Sequence, residues 1–409
     1  MNKIALLCLS IITFLSFPAI GQENVKKLSE EELVKEVISK NFDLQSLNGQ
    51  IEIAHSELII ASKPNNLTLT QDVQALDFTN LINNSNFQAN MGVSYDFLMG
   101  DQISLKKDIA LLAIDQIKLD IYNKTREKVL LAKQSYDELL YKTKLTELRE
   151  IYLKHSNDIF EATNKQYLAG DIAKYDVFRA ELEKNKALLS LNISKKEVKT
   201  IQYQISYLIN SDNKNIIPSG HFEVPDYQEI NIDQKINTYV IDHPELKVFN
   251  LQLQSEIYKL GLAHYGVLPT LSSRITLGNQ GINASVDLPI PTFYRQQGEI
   301  SLSKANTNFL QSRYEARKRE IIFEANKAYQ QFILSFEAVN NFSQTIISQS
   351  NILQELSLKR LQAGEGTMLE VLEASRTRYE NDNEYARLIF EARKNHHYLE
   401  YIIGGNLID

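Results

Sequence analysis

The chain has 409 residues, of which 43% are hydrophobic, and a formal net charge of −7. This acidic balance, without any Lys/Arg-rich cluster, argues against nucleic acid as a partner. The sequence has no glycine-rich phosphate loop, nucleophile elbow or HExxH motif, so we expect no enzymatic activity and no cofactor. The seven histidines lack metal-ligand spacing, and the adjacent His396 and His397 are predicted to point apart on a helix, so we predict no metal site.

An export signal is predicted at residues 1–21. Lys3 precedes an apolar run from Ile4 to Phe17, and the small residues Ala19 and Gly21 come just before the predicted cleavage point. That run is short for a membrane-spanning helix, and no later stretch is long and apolar enough to form one. If the mature chain meets a bilayer, it must do so with β-strands.

Much of the remaining chain is a duplication. The segment "YLAGDIAKYDVFRA" (Tyr167–Ala180) matches "LQAGEGTMLEVLEA" (Leu361–Ala374), and "NFDL" near the start of the first half is echoed by "HPEL" in the second. The period is longer than a solenoid unit, which indicates one duplicated domain. We predict a first repeat at 22–210, a Pro/Gly-bearing linker at 211–227 and a second repeat at 228–409.

Each repeat is predicted to contain a helix, two strands, a long helix, a tight glycine turn and a final helix. In the first repeat the helices are 29–62 and 101–167, with strands near 66–73 and 87–97. Residues 101–167 contain neither Pro nor Gly, which predicts a helix about 100 Å long. Gly170 then supplies a turn, with Asp171 placed to cap the next helix, and Gly364 and Glu365 repeat this arrangement.

The long helices carry only narrow apolar seams, and their other faces are polar. The residues of the two seams are Ala132, Tyr136, Leu139 and Thr143 in the first repeat and, more loosely spaced, Ile346, Leu353, Leu356 and Leu361 in the second. A soluble coiled coil and a helical wall that lines a water-filled cavity both fit this pattern.

Four short segments alternate between apolar and polar residues, as strands with two different faces do. In Phe87–Phe97 every odd position is apolar, and 270–278 and 282–290 alternate in the same way. A small sheet packed on a helix is one reading, and strands that span a bilayer are the other. The flanking helices lack a broad apolar face to cover a sheet, which favours the bilayer. The polar side chains predicted to face water inside a barrel are Gln88, Asn90, Ser94, Asp96 and Arg274.

Four strands cannot close a barrel, and an open strand edge is not tolerated in lipid. Spanning strands therefore require oligomerisation. Two copies would give eight strands with a filled interior, and three would give twelve strands with room for a lumen.

With these features together, the sequence resembles the TolC-type outer-membrane efflux ducts over nearly the whole mature chain. The resemblance rests on "NFDL" at Asn41–Leu44, "HPEL" at His243–Leu246, the strand pairs, the two glycine turns and the ending "YLEYIIGG" at Tyr398–Gly405. It implies a mainly α fold with a transmembrane β part. A homotrimer would form a twelve-stranded barrel in the outer membrane, continued by a long α-helical barrel in the periplasm.

The resemblance also implies partners and functional residues. The partners are outer-membrane lipid, a periplasmic adaptor (membrane fusion) protein and an inner-membrane pump of the resistance-nodulation-division or ABC type. The implied periplasmic tips, which contact the adaptor, are Ala169, Gly170 and Asp171 together with Ala363, Gly364 and Glu365. The acids matched to the family's aperture are Glu370 and Glu373, with Asp176 as their counterpart in the first repeat.

The aperture acids have two readings. Repeated around a threefold axis, they would form a ring of like charges that favours cations. They also fit ordinary acids in the first turn of a helix. An Arg that latches the aperture in the family is replaced here by Gly366, so a salt bridge of that form is not expected.

The predicted function is a passive exit duct. Drug, metal cation, protein and polysaccharide export all fit this prediction. The alternative is a periplasmic coiled-coil adaptor or structural protein of an export assembly, which should also carry compact, Gly-rich β-domains.

Overall fold

The computed structural model describes residues 25–74, 88–224, 232–268, 270–278 and 281–404. The predicted export signal and Phe87 lie outside the described residues, as does the side chain of Gln88. Within the described ranges, no helix combines the length and apolarity needed to cross a bilayer.

Both halves of the chain follow the predicted order of elements. The first half contains β1 (Lys26–Leu28), α1 (Glu30–Lys40), α2 (Phe42–Ala61), β2 (Thr68–Gln74), β3 (Gln88–Phe97), α3 (Gln102–Ala169) and α4 (Lys174–Leu208). The second half contains β4 (Ile216–Pro218), α5 (Ile232–Asp242), α6 (Pro244–Tyr265), β5 (Leu271–Gly278), β6 (Gly281–Asp287), α7 (Gln297–Asn341), a π-helical segment (Phe342–Ile347), α8 (Ser348–Gln362) and α9 (Met368–Ile403).

The single helix predicted at 29–62 is wrong, because the chain breaks at Asn41. The Asn41 side chain accepts hydrogen bonds from the amides of Asp43 and Leu44, which starts α2, and its Nδ2 donates to the carbonyl of Leu208 at 2.9 Å. His243 has the same position before α6, where its ring accepts from the amide of Glu245. The repeated "NFDL" and "HPEL" segments are therefore helix starts, in which a polar side chain replaces the missing backbone partner.

The core lies around the middle of the long helices and has two parts. One part joins α1, α3 and α4, with Leu33 and Leu139 fully buried, and the other joins α5, α6, α7 and α9 around Phe332. The predicted linker contributes to the first part, because Ile216 of β4 is buried and pairs in parallel with Lys26 of β1. Strands of three residues are too short to produce a recognisable alternation.

The long helix α3 has 68 residues and extends about 100 Å. The seam predicted at Ala132, Tyr136, Leu139 and Thr143 is confirmed for the first three, which are at most 2% exposed, whereas Thr143 is half-buried. The seam predicted in the second repeat is not buried within the chain. Leu353 and Leu356 are exposed, whereas α8 turns polar residues inward, namely Ser350, Gln354 and Ser357.

Four strands form one antiparallel sheet in the order β2-β3-β5-β6. The register places Leu69, Val93, Ile275 and Ala284 in one transverse row, and Thr68, Ser94, Arg274 and Ser285 in the next. The strands have 7, 10, 8 and 7 residues and are thus mostly shorter than predicted. β6 ends before Pro289, which lacks the amide hydrogen that a ladder requires. Among the described residues, β2 and β6 each have a partner on one side only.

Candidate functional site

The sheet has an apolar face that no helix in the described part of the chain covers. Its side chains are largely exposed, from 43% for Val93 to 60% for Ile275 and 73% for Ile282. Rows of apolar residues at consistent register make this face continuous across all four strands. A sheet in water would bury such a face, so the reading of a sheet packed on a helix of its own chain is wrong.

The opposite face of the sheet is polar and carries the predicted barrel residues. Asn90, Ser94, Asp96 and Arg274 share this face, and Ser94 lies directly opposite Arg274. The Ser272 hydroxyl donates to the Asp96 carboxylate at 2.5 Å. A Cβ at Gly92 would lie 2.4 Å from Cγ2 of Thr276, so close packing on this face requires a glycine there. Gln88 is described only through its backbone in β3.

The two helical hairpins end in glycine turns, as predicted. Gly170 follows Ala169 at the end of α3 with φ 86°, and Gly364 follows Ala363 after α8 with φ 77°. These positive angles favour glycine because an L side chain is strained there.

The predicted helix caps at the two turns are wrong. α4 begins after Ala173, so Asp171 remains in the turn, where its amide donates to the carbonyl of Gln166. At the second turn, Thr367 rather than Glu365 caps α9, by accepting from the amide of Glu370 at 3.3 Å. Each turn is a few residues longer than the sequence pattern implied, and this moves both acids out of the cap position.

A cavity of about 340 Å³ separates the two tips. One wall comes from the first hairpin and includes Asp176 and Arg179, and the other comes from Met368, Leu369 and Leu372 of the second hairpin. The structure therefore brings Asp176 against the second tip. Glu370 and Glu373 lie elsewhere, in a groove of about 450 Å³ that they share with Leu353 and Leu356.

Two of the acids predicted at the aperture, Glu370 and Glu373, form salt bridges, but with arginines at positions other than 366. Arg360 of α8 places Nη1 3.2 Å from Glu370 of α9, and Arg179 of α4 lies 3.9 Å from Glu373. The first contact closes the second hairpin, and the second connects the two hairpins. Arg360 lies in the helix before the turn, so its pairing depends on how the hairpin closes and has no sequence signature.

The helical core contains a buried charged cluster that has no signature in the sequence. Asp137 of α3 is fully buried and lies 2.6 Å from the guanidinium of Arg393 and 3.0 Å from Nε2 of His397, both on α9. Glu400 lies 2.9 Å from Lys133 Nζ and 3.2 Å from Nδ1 of the same histidine. Glu30 of α1, 3.4 Å from Arg393, completes the cluster.

The prediction that His396 and His397 point apart is wrong, because both rings are buried in the helical packing and contact each other edge to face. Ligand atoms of His396, His397 and Glu400 lie within 4.8 Å of one another, which is the spacing of a metal site. However, Glu400 already pairs with Lys133, and His397 already pairs with Asp137. Three acids face Lys133, Arg393 and His397, so the set is neutral when His397 is protonated, and it acts as a structural clasp between helices of both halves.

The pKa values of the two histidines are shifted in opposite directions. Burial opposes the charge on His397, but its hydrogen bonds with Asp137 and Glu400 outweigh this and raise its pKa to about 9. Burial lowers the pKa of His396 to about 4. For Glu400, burial acts against ionisation, yet hydrogen bonds from His397 and Lys133 lower its pKa to about 2.

Stability should fall with rising pH in the alkaline range because of His397. Its folded pKa of about 9 lies above the ordinary value of 6.5. Its stabilising contribution is therefore complete below pH 6.5 and is lost as the pH rises through 9. Between pH 7 and 9 the free energy of unfolding should drop by about 2 kcal/mol in the wild type.

The measurement is denaturant unfolding in detergent at several pH values, compared with His397→Gln. The variant should lack most of this slope. His396, whose pKa is lowered, changes the free energy of unfolding only below pH 6.5 and therefore does not contribute to the slope between pH 7 and 9. Equal slopes for both proteins would exclude His397 as the titrating group.

A mainly helical chain with two long hairpins and a four-stranded sheet that is apolar on one side has the fold of outer-membrane efflux channels. The Campylobacter jejuni CmeC outer membrane channel matches at 14% identity over 99% of this chain and 94% of its own, with a TM-score of 0.77. The Neisseria gonorrhoeae MtrE outer membrane channel in its open state matches at 16% identity over 92% and 89%, with a TM-score of 0.73.

A third solved structure, the outer membrane protein VceC of Vibrio cholerae, matches at 15% identity over 92% of this chain and 96% of its own, with a TM-score of 0.75. The resemblance to TolC-type channels inferred from the sequence is thus confirmed at the level of the fold. No protein-family model and no curated protein sequence matches the chain.

Proposed function

We propose that this protein is the outer-membrane exit duct of a tripartite export system. Cargo would be delivered by an inner-membrane pump through a periplasmic adaptor and would pass through the duct without an energy source of its own. The observation that carries this proposal is the continuous, exposed apolar face of the sheet, with Val93 and Ile275 at its centre. Hydrocarbon is the environment that stabilises such a face.

The edges of the sheet support a homotrimer. β2 and β6 each leave one edge without a partner in the described chain, and unpaired amides in lipid cost several kcal/mol each. Three copies joined edge to edge give a twelve-stranded barrel wide enough for a lumen. The exposed Leu353 and Leu356 on α8 support contacts between helices of neighbouring subunits.

The polar face of the sheet would then line the lumen. It carries Asp72, Asp96 and Asp287 against the single cation Arg274 among its described side chains. This balance favours the passage of cations over anions. The lumen-facing assignment includes Asn90 and Ser94.

The hairpin ends would form the periplasmic tips that meet the adaptor. Glycine turns at Gly170 and Gly364 expose Asp171 and Glu365 at the extreme ends of the hairpins. Behind them, Glu370 and Glu373 with Asp176 would narrow the periplasmic entrance. Arg360 and Arg179 hold two of these acids by salt bridges, which a docked partner could exchange for its own contacts.

The function is tested by conductance of the purified protein in planar bilayers. Wild type should form cation-preferring pores that conduct weakly. Glu370→Gln should raise the single-channel conductance severalfold, because the substitution removes the charge that Arg360 holds across the hairpin. The matched control is Glu365→Gln, which removes the same charge from the same tip. Arg360 donates to the backbone carbonyl of Glu365 and not to its carboxylate, so this substitution leaves that hydrogen bond in place.

Three outcomes are informative. Equal conductance of Glu370→Gln and Glu365→Gln would remove Glu370 from the entrance. Anion preference would contradict the assignment of the lumen face. A wild-type protein that stays soluble as a monomer without detergent, or that follows the inner membrane in fractionation, would favour the adaptor alternative.

A further inference from the structure

The chain passes between the sheet and the helices four times, and an exposed apolar side chain stands at every crossing. Leu67 precedes β2, Met99 follows β3, Leu268 precedes β5 and Phe293 follows β6. Their exposed fractions are 68%, 39%, 44% and 96%, respectively. All four crossings lie at the end of the sheet nearest the helices, so these side chains mark one level of the molecule. We refer to Leu67, Met99, Leu268 and the segment 288–295 as the collar.

The most exposed part of the collar follows β6. Even-numbered residues of β6 face the apolar side, and Leu288 and Ile290 continue this parity beyond the hydrogen-bonded ladder, at 51% and 76% exposure. Pro289 and Pro291 come directly after them, and a residue before proline is restricted to extended conformations. The apolar alternation of β6 thus continues through Leu288 and Ile290 without requiring a partner strand.

The end of this segment is amphipathic. The Tyr294 hydroxyl donates to the Glu299 carboxylate, and Arg295 is exposed with its Nε donating to the carbonyl of Pro291 at 3.3 Å. Lys63 is likewise exposed beside the first crossing. Apolar side chains next to cations and a tyrosine are typical of segments that lie at the boundary between acyl chains and phosphate headgroups.

A neighbouring copy of the chain is a weaker candidate to cover the collar. Copies joined at the edges of the sheet would approach β2 and β6, whereas Met99 and Leu268 belong to the crossings of the central strands β3 and β5. A ligand that reaches all four crossings must surround the sheet. Lipid does this, and an edge-on subunit does not.

We propose that the collar binds phospholipid at the headgroup level of the periplasmic leaflet, with Phe293 inserted among the upper acyl carbons and Arg295 at the phosphate. This rests on the proposed membrane-spanning sheet. The collar would fix how deep the sheet sits and would prevent it from sliding along the membrane normal.

The sequence contains no tryptophan, so a single introduced indole reports on one site alone. We would compare Phe293→Trp, Ile275→Trp on the apolar sheet face and Phe323→Trp, which replaces an exposed side chain of α7. Each full-length protein is reconstituted into phosphatidylethanolamine/phosphatidylglycerol vesicles. The lipids carry bromine either near the carbonyl end or near the methyl end of the acyl chain.

We expect the Phe293→Trp indole to lose roughly half of its emission to bromine near the carbonyl end and much less to bromine near the methyl end. Ile275→Trp should be quenched more strongly by the deeper bromine, and Phe323→Trp by neither. Adding Arg295→Gln to Phe293→Trp should weaken the shallow quenching.

The controls separate the two proposals. Quenching of Ile275→Trp without quenching of Phe293→Trp would overturn the lipid collar and leave the membrane-spanning sheet intact. A blue-shifted but unquenched indole at 293 would assign the segment to a subunit contact and would also overturn the collar. Absence of quenching at both 275 and 293 would contradict the proposed function itself.

Discussion

Val93→Asp should prevent assembly in the outer membrane, whereas Ser94→Asp should leave assembly intact. Val93 lies between Leu69 and Ile275 in the apolar row of the sheet. A carboxylate there would cost roughly 2 kcal/mol per subunit in hydrocarbon, and every subunit of an oligomer would carry it. Ser94 is the next residue along the strand and points to the opposite face.

Ser94→Asp is the control, and the structure favours an aspartate at this position. Ser94 lies directly opposite Arg274, so an aspartate at position 94 would gain a cross-strand partner of opposite charge. The two variants have the same added charge at adjacent positions of one strand and differ in the face that receives it. A soluble sheet would tolerate Val93→Asp well, because it replaces an exposed valine.

Assembly is measured as the fraction of protein in purified outer membranes and as the yield of oligomer on gels run without heating. We expect a loss of at least about tenfold for Val93→Asp, because a factor of ten needs only about 1.4 kcal/mol, which the cost in a single subunit already exceeds. Normal yields from both variants would mean that the apolar face is not in contact with lipid.

Asp137→Ala should destabilise the helical part of the molecule more than any exposed substitution on the same helix. The substitution leaves Arg393 and His397 buried without the carboxylate that both contact. Loss of one partner from a buried ion pair costs about 3–5 kcal/mol when the remaining charge is left unpaired. Because Arg393 keeps its contact with Glu30 and His397 keeps its contact with Glu400, we expect a loss at the lower end of this range. Unfolding of the helical circular dichroism signal in denaturant measures this loss.

Asp115→Ala is the matched control for this experiment. Asp115 lies on the same helix and pairs with Lys118 at 3.0 Å, but its side chain is 57% exposed. Exposed pairs of this kind contribute less than about 1 kcal/mol. In addition, combining Asp137→Ala with Arg393→Met should cost less than the sum of the two single changes. Equal stabilities of Asp137→Ala and Asp115→Ala would show that the buried cluster is not a clasp.

Local patterns were sufficient to predict much of the fold. The absence of Pro and Gly from 101–167 predicted α3, and strand parity predicted which residues of β3 share a face. Glycine turns at Gly170 and Gly364 were predicted because few other residues adopt their backbone angles. In each case the physical cause acts within a few residues along the chain.

Contacts between distant residues were not predictable in this way. Asp137 and Arg393 carry no signature of each other, and their pairing depends on how α3 and α9 pack. The exposure of Leu353 has a similar origin, because spacing predicts which residues share a face but not which face finds a neighbour. The helix break at Asn41 was missed because its side chain competes with the backbone, a local effect that a search for apolar periodicity overlooks.

The inward-facing serines of α8 make the contact between α8 and α9 more polar than the core around the middle of α3. In the second hairpin, Gln354 donates to Ser375 at 3.4 Å and accepts from Arg378 at 2.5 Å, so this seam is held by hydrogen bonds. Water can replace such bonds at little net cost, whereas parting the seam around Tyr136 and Leu139 would expose apolar surface. Separating α8 from α9 should therefore cost less free energy than separating α3 from the helices that pack around Tyr136 and Leu139.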